Sequence, residues 1–278
     1  MFEKRRKVII TLVLLLLISL PVTLYAQARF GTTGLLSMPT ADMQRDKTFM
    51  IGVNMIDKNM LSSYWSKGKE YNPYTYSYYV NITFFPWLEV AYTCTLVKGR
   101  YNSNYWPEQT WGKFVNQDRN FSGRLRFWKE GWWKAWTPQI VFGANDPGSF
   151  DGNGGGNINF SQESGTHNYF NRFFLTATKH LDFRNIGELG VHAAYIYSRA
   201  TGLRYEGPAL GTNFRFRLSE ISFLNKALNG LNLMAEYDAR TVNVGFNYSV
   251  WKDRFNLTAA LNDGKYLSAG VYFRISLK

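Results

Sequence analysis

The stretch that most constrains this chain is Leu231–Leu277, because it reads two residues at a time. In Leu231–Asp238, Leu231, Leu233, Ala235 and Tyr237 alternate with Asn232, Met234, Glu236 and Asp238. The same alternation continues through Thr241–Val250, Arg254–Asn262 and Tyr266–Leu277. Only a strand sends successive side chains to opposite faces. Short connectors at Ala239–Arg240, Trp251–Asp253 and Asp263–Lys265 predict an antiparallel meander with one apolar and one polar face.

Lipid and a protein core would both accept the apolar face, and length separates them. Strands of soluble sandwiches run about five or six residues. Three of these four run nine to twelve, which suits a tilted bilayer crossing. Their polar faces are small and hydrophilic, as a lumen requires. Eight further segments alternate: Thr48–Ile56, Tyr74–Phe84, Trp87–Val97, Phe121–Trp128, Gln139–Ala144, Tyr169–His180, Leu189–Ser198 and Thr212–Leu218. The expected fold is all-β: one antiparallel, up-and-down transmembrane β-barrel of about twelve strands over residues 48–278. Aromatic residues make up 17% of the chain, as interfacial girdles need.

The connectors agree with this count. Those at 57–73, 98–120 and 145–168 are the longest, and they are the first, third and fifth. With both barrel ends in the periplasm these face outward, where barrels carry their long loops. Connector Ser219–Gly230 has Ile221, Leu224, Ala227 and Leu228 at helical spacing and suits a short periplasmic helix.

Residues 1–28 read as a secretory signal. Lys4–Lys7 is a basic start, Val8–Leu20 a thirteen-residue apolar run, and Ala26-Gln27-Ala28 offers cleavage after Ala26 or Ala28. Removing residues 1–26 takes four basic residues and one acid from a net charge of +12, so the remainder stays strongly basic. Such a surface attracts anionic lipid or acidic polymer, and export makes nucleic acid an unsuitable partner. Residues 29–47, rich in glycine and turn formers around Gly31–Ala41, are expected to form a periplasmic or lumen-lining segment.

Strand parity places Arg124, Arg126, Arg172, Arg215, Arg217, Arg254 and Arg274 on the lumen face, with Glu89, Glu236 and Asp238. A basic lumen can guide an acidic polysaccharide through bidentate guanidinium contacts. The same groups can instead fill a narrow lumen as a salt-bridged network, and that outcome is the one expected here. Catalysis is not expected: Ser198, His192 and Glu236 could supply a hydrolase triad, yet nothing in their spacing selects them. No metal or cofactor is expected; Asp146, Asp151 and Asn153 lack a full calcium-ligand spacing. Tyr101, Tyr105, Trp106 and Trp111 suit sugar stacking or an interfacial girdle.

Several stretches together resemble the YjbH family of outer-membrane proteins linked to exopolysaccharide production. They are Gly34–Ala41, Pro86-Trp87-Leu88-Glu89-Val90, Ala235-Glu236-Tyr237-Asp238 and Asn243–Tyr248. The chain is short beside longer members that carry a second barrel region, and Tyr25-Ala26-Gln27 resembles Bacteroidetes export signals. The family resemblance implies a non-enzymatic role in exopolysaccharide secretion or surface assembly. It also implies an outer-membrane location and partners among lipid, envelope export proteins and an acidic polysaccharide. The last strand, with Gly270, Phe273, Ile275 and Leu277, resembles the recognition signal read by the barrel-insertion machinery. The alternatives are a small solute channel or structural barrel, and an outer-membrane hydrolase.

Overall fold

Alternation becomes pairing in the computed structural model, which describes residues 28–61, 74–99, 101–102, 104, 106–150, 156–158, 170–200, 204–251 and 253–277. The signal reading at 1–28 lies almost wholly outside these residues, as does most of the glycine-rich loop with Asp151 and Asn153.

Among the described residues fourteen strands form: β1 (Thr48–Asp57), β2 (Tyr74–Phe85), β3 (Leu88–Lys98), β4 (Phe114–Trp128), β5 (Gln139–Asn145), β6 (Gly148–Phe150), β7 (Gly156–Ile158), β8 (Arg172–Phe183), β9 (Gly187–Tyr197), β10 (Gly207–Phe216), β11 (Leu231–Tyr237), β12 (Val242–Val250), β13 (Phe255–Asn262) and β14 (Tyr266–Ser276). Strands β6 and β7 make a separate small hairpin between β5 and β8. The other twelve close into one antiparallel barrel, sealed where β1 pairs with β14 from Thr48↔Ser276 to Met55↔Ala269. Closure satisfies every strand edge, which a membrane demands.

The barrel is apolar outside and polar inside. On β12, Val244 is 47% exposed while its neighbour Asn243 is 0% exposed. Phe121, Leu210, Tyr195 and Leu175 face out, and Asn81, Thr95, Asn213, Asn232 and Asn256 are buried within. That inversion is the pattern of a transmembrane barrel. Among the described residues no helix is long and apolar enough to cross a membrane.

Several strand boundaries differ from the sequence reading: β8 spans Arg172–Phe183 rather than Tyr169–His180, β9 spans Gly187–Tyr197 rather than Leu189–Ser198, and β4 and β10 show the cause. β4 starts at Phe114 rather than Phe121. Its outward Gln117 and Arg119 are polar, so the alternation disappears although the inward Asp118 and Asn120 keep the strand's parity. β10 runs Gly207–Phe216 rather than Thr212–Leu218. There, adjacent Ala209 and Leu210 are both apolar, one buried and one exposed, which masks the period. Helix α1 (Phe223–Asn229) fills the β10–β11 connector; the Ser222 side chain caps it by accepting from the Asn225 N–H at 3.2 Å.

Candidate functional site

The lumen is occupied by the chain's own N-terminal segment. Every residue from Ala28 to Gln44 is buried. Local chemistry makes the segment compact. Ala28 N–H donates to the Thr32 carbonyl, and Gly34 bridges Pro39. Gly31 has φ +76°, and a Cβ there would crowd Thr93 Oγ1 and Tyr79, so both conformation and space require glycine.

Two acids from the barrel wall hold this segment by its backbone. Glu89 on β3 accepts from Thr33 N–H at 2.7 Å and from the Thr33 hydroxyl at 2.8 Å. Glu236 on β11 accepts from the N–H groups of Leu36, Ser37 and Met38 at 3.0, 2.8 and 3.1 Å. These are charge-assisted bonds in a water-poor interior. Two arginines grip the matching carbonyls. Arg172 donates to Ser37 O at 2.8 Å. Arg124 donates to the carbonyls of Thr40 and Asp42. The Ala41 N–H reaches Thr178 Oγ1 at 2.9 Å. Between these polar anchors, Leu35, Leu36 and Met38 pack on Phe174, Ile196, Ala209, Met234 and Ala260 of the inner wall. A side chain at Gly211 would press on Leu35, and one at Gly245 on Leu36, so small wall residues make the room.

At the barrel end that carries the β4–β5 and β8–β9 connectors, Asp42 meets His180 at 3.2 Å and accepts from Gln139 Nε2 at 2.8 Å. The other His180 nitrogen lies 2.7 Å from Glu130, in the β4–β5 connector. Burial pushes the Asp42 carboxyl up, but the hydrogen bond and charge of His180 outweigh it and hold it at about 2. Burial also acts upward on Glu130, and the bonds from His180 and Lys179 bring it to about 2.

The remaining residues singled out from the sequence divide by position. Arg274 is buried and paired with Asp253, which the sequence had placed in a turn. Arg215 lies 3.4 Å from Glu188, its cross-strand partner. Arg126 is half-buried at the end of β4. Two expectations need correction. Arg217 lies beyond β10, exposed, with Nη2 2.7 Å from Glu188. Arg254 lies before β13, exposed, over the Trp251 ring. Both continue the inward parity but lie just outside the strands, Arg217 after β10 and Arg254 before β13, so the lumen wall does not direct them. Asp238 is buried and closes the 238–241 turn by accepting from Thr241 N–H and Asn243 Nδ2. Gly270 is buried on the inner face opposite Asn54, while Ile275 and Leu277 are exposed and Phe273 is half-exposed.

Glu188, Asp253, Asp42 and Arg29 were not found by sequence reasoning. Glu188 shares inward parity with Gly190 and His192, but it lies outside the expected Leu189–Ser198 strand, whose observed start is two residues earlier, at Gly187. The hydrolase set does not converge: Ser198 donates to the Asn171 carbonyl, and both His192 nitrogens are engaged by Thr178 and Asn213. Among the described residues no group of three or more His, Cys, Asp or Glu is placed to hold a metal. In the β3–β4 connector, Tyr101 and Trp111 rings lie 5.8 Å apart and Trp111 Nε1 donates to Trp106 O; Tyr105 lies outside the described residues.

The profile of the YjbH family, described as exopolysaccharide biosynthesis protein YbjH, matches residues 26–278. The chain belongs to the YjbH family. Over 124 residues this YjbH-family chain is 32% identical to the protein named "Uncharacterized lipoprotein YjbH" of Escherichia coli (strain K12). That match covers 44% of this chain and 15% of the Escherichia coli protein, so the chain spans a small part of that relative's length. Among solved structures it is similar to the KdgM porin in complex with disordered oligogalacturonate, at 9% identity and a TM-score of 0.42, over 83% of this chain and 99% of that one. It is also similar to the COG4313 outer membrane channel from Pseudomonas putida F1, at 8% identity and a TM-score of 0.38, over 84% and 96% of the two chains.

Proposed function

We propose that this YjbH-family barrel acts in exopolysaccharide secretion or cell-surface assembly in the outer membrane of a Gram-negative bacterium, without catalysing a reaction itself. Family membership across residues 26–278 supports the exopolysaccharide context. The observation that carries the mechanistic part is the grip of Glu89 and Glu236 on the backbone of residues 33–38. An open conduit does not hold its own chain across the lumen by buried carboxylates. The barrel is therefore a plugged scaffold or a gated passage, inserted by the barrel-insertion machinery and working beside envelope export proteins. Acidic polysaccharide is the polymer that a basic envelope protein best suits. The lumen arginines serve structure first: Arg124, Arg215 and Arg274 face acids of the wall or its turns.

Deleting the gene should lower surface polymer, and the wild-type copy should restore it. Unchanged polymer after deletion would leave only a structural barrel or solute channel. Replacing Arg215 and Arg217 together by Gln should reduce polymer no further than it reduces the amount of folded barrel.

A further inference from the structure

Arg29 is built into the lumen with donors to spare. It is 8% exposed. Its Nη2 donates to the Tyr205 hydroxyl at 2.7 Å, and its Nε and Nη1 have no hydrogen-bond partner among the described residues. Its guanidinium lies 5.3 Å from the Phe30 ring centroid, and that of Arg172 lies 3.5 Å from the same centroid. Two like charges therefore share one ring. Buried charged donors left unmade are costly, and an anion in one of the spaces beside Arg29 would offset both the desolvation and the repulsion from Arg172.

The surroundings fit an anion attached to a sugar. Arg29 borders two narrow spaces at the outer end of the barrel. Asn54, Thr258, Asn262 and Ser268 help to line the first. Ser77, Thr95 and Asn120 help to line the second. These are neutral hydroxyl and amide groups set among apolar ones such as Met55, Ile56 and Phe170, and among the described residues no Asp or Glu lines either space. Hydroxyls and amides match sugar hydroxyls, and a guanidinium matches a carboxylate.

We propose that Arg29 receives a carboxylate carried by an acidic glycan, admitted from the outer end of the barrel. The proposal rests on the exopolysaccharide reading and adds the chemistry that the polymer must carry. Each space has room for about one water-sized group, so a carboxylate oxygen enters and the sugar itself stays at the mouth. This is a recognition point, not a lumen-long track.

The test uses the purified, folded, full-length chain titrated with sodium glucuronate, glucose and inorganic phosphate in a calorimeter. Glucuronate should bind and glucose should not. Arg29→Gln should weaken glucuronate at least tenfold, and Arg29→Lys should recover part of the loss. Arg217→Gln, outside the lumen, should change nothing. Heat-modifiable gel mobility shows whether each variant is folded. Should Arg29→Gln fail to fold, Tyr205→Phe serves instead: it frees Nη2, leaves the charge in place and should keep glucuronate binding. Equal binding by folded Arg29→Gln, no glucuronate binding by the wild type, or phosphate binding in place of glucuronate would each overturn the proposal. Because these readings are made on purified protein, they stand or fall separately from the effect of gene deletion on surface polymer.

Discussion

Glu89 and Arg124 face each other across β3 and β4, fully buried, with Oε2 and Nη1 2.9 Å apart. Each also holds the N-terminal segment: Glu89 by the N–H and hydroxyl of Thr33, Arg124 by the carbonyls of Thr40 and Asp42. Asn81 Nδ2 adds a further donor to Glu89 at 2.7 Å. The pair therefore fastens the wall and the segment at once. An isolated buried ion pair is weak evidence for stability, but one that also bonds the backbone of a second segment from both of its members is a locking point.

Removing one member should be costly. Glu89→Gln leaves the Arg124 charge buried without its counter-ion, a loss of about 3–5 kcal/mol for pairs of this kind. Urea unfolding of the barrel in detergent or liposomes measures it. The double variant Glu89→Gln/Arg124→Gln should lose less than the two single losses added together. Strict additivity would mean that the pair is not coupled.

The outer face answers to lipid. Val244→Arg should destabilise the barrel by about 2–4 kcal/mol if it lies towards the bilayer midplane. Asn243 has the opposite, lumen-facing parity, and a hydrated lumen would tolerate Asn243→Arg. The structure removes that expectation, because Asn243 is 0% exposed and donates to Glu236 and Asp238. Both variants should be destabilised, for different reasons. The Val244→Arg penalty should change with bilayer thickness and the Asn243→Arg penalty should not. A matching response at both sites would break the inside–outside assignment.

The barrel was legible because parity is a local property. Val242, Val244, Phe246 and Tyr248 announce their face without knowledge of any partner. It failed where both faces shared one polarity, as at Ala209–Leu210 and Gln117–Arg119. The lumen contacts were legible only by type. Glu236 could be placed on the inner face, but its acceptors' partners are backbone N–H groups of residues 36–38, about 200 positions away, as the 200-residue separation to Leu36 shows. Side-chain pattern does not encode a contact made to backbone. Asp42 and Arg29 were missed for the related reason that a segment without strand or helix period gives no facing.

Acid should loosen the segment late. Asp42 and Glu130 have ordinary values of 3.8 and 4.5, and both fall to about 2 in the folded protein. Carboxyls depressed on folding stabilise the fold above their ordinary values. That contribution is lost as the pH falls from about 4.5 through 2. Protease access to residues 28–44, followed from pH 7 to pH 2, should stay low until the end of that range. Asp42→Asn should give a flatter profile through the same window. An unchanged profile in Asp42→Asn would show that His180 does not couple the segment to the wall.

Orientation can be read on intact cells. The β5–β8 connector leaves the same end of the barrel as the β1–β2 and β3–β4 connectors, and the β4–β5 connector leaves the opposite end with both barrel termini. An epitope inserted at Gly154 should bind antibody on intact cells. One inserted at Lys134 should be detected only after the outer membrane is opened. The reverse result would turn the barrel over.

The last prediction concerns passage through the lumen. With residues 28–44 held by Glu89, Glu236, Arg124 and Arg172, the intact protein in a planar bilayer should conduct little. Glu236→Gln weakens three backbone N–H contacts to the 36–38 turn at once, while Asn243 can still bond the amide. Pairing it with Glu89→Gln removes the charge from both acid anchors. The double variant should therefore show brief, large openings as the segment leaves the lumen, with the barrel still folded by gel mobility. Cross-linking the segment to the wall through cysteines at Thr33 and Asn81 should abolish those openings, and reduction should restore them. Steady, large conductance by the unmodified protein would mean that the segment does not occupy the lumen in a membrane, and the plugged-scaffold reading would fall with it.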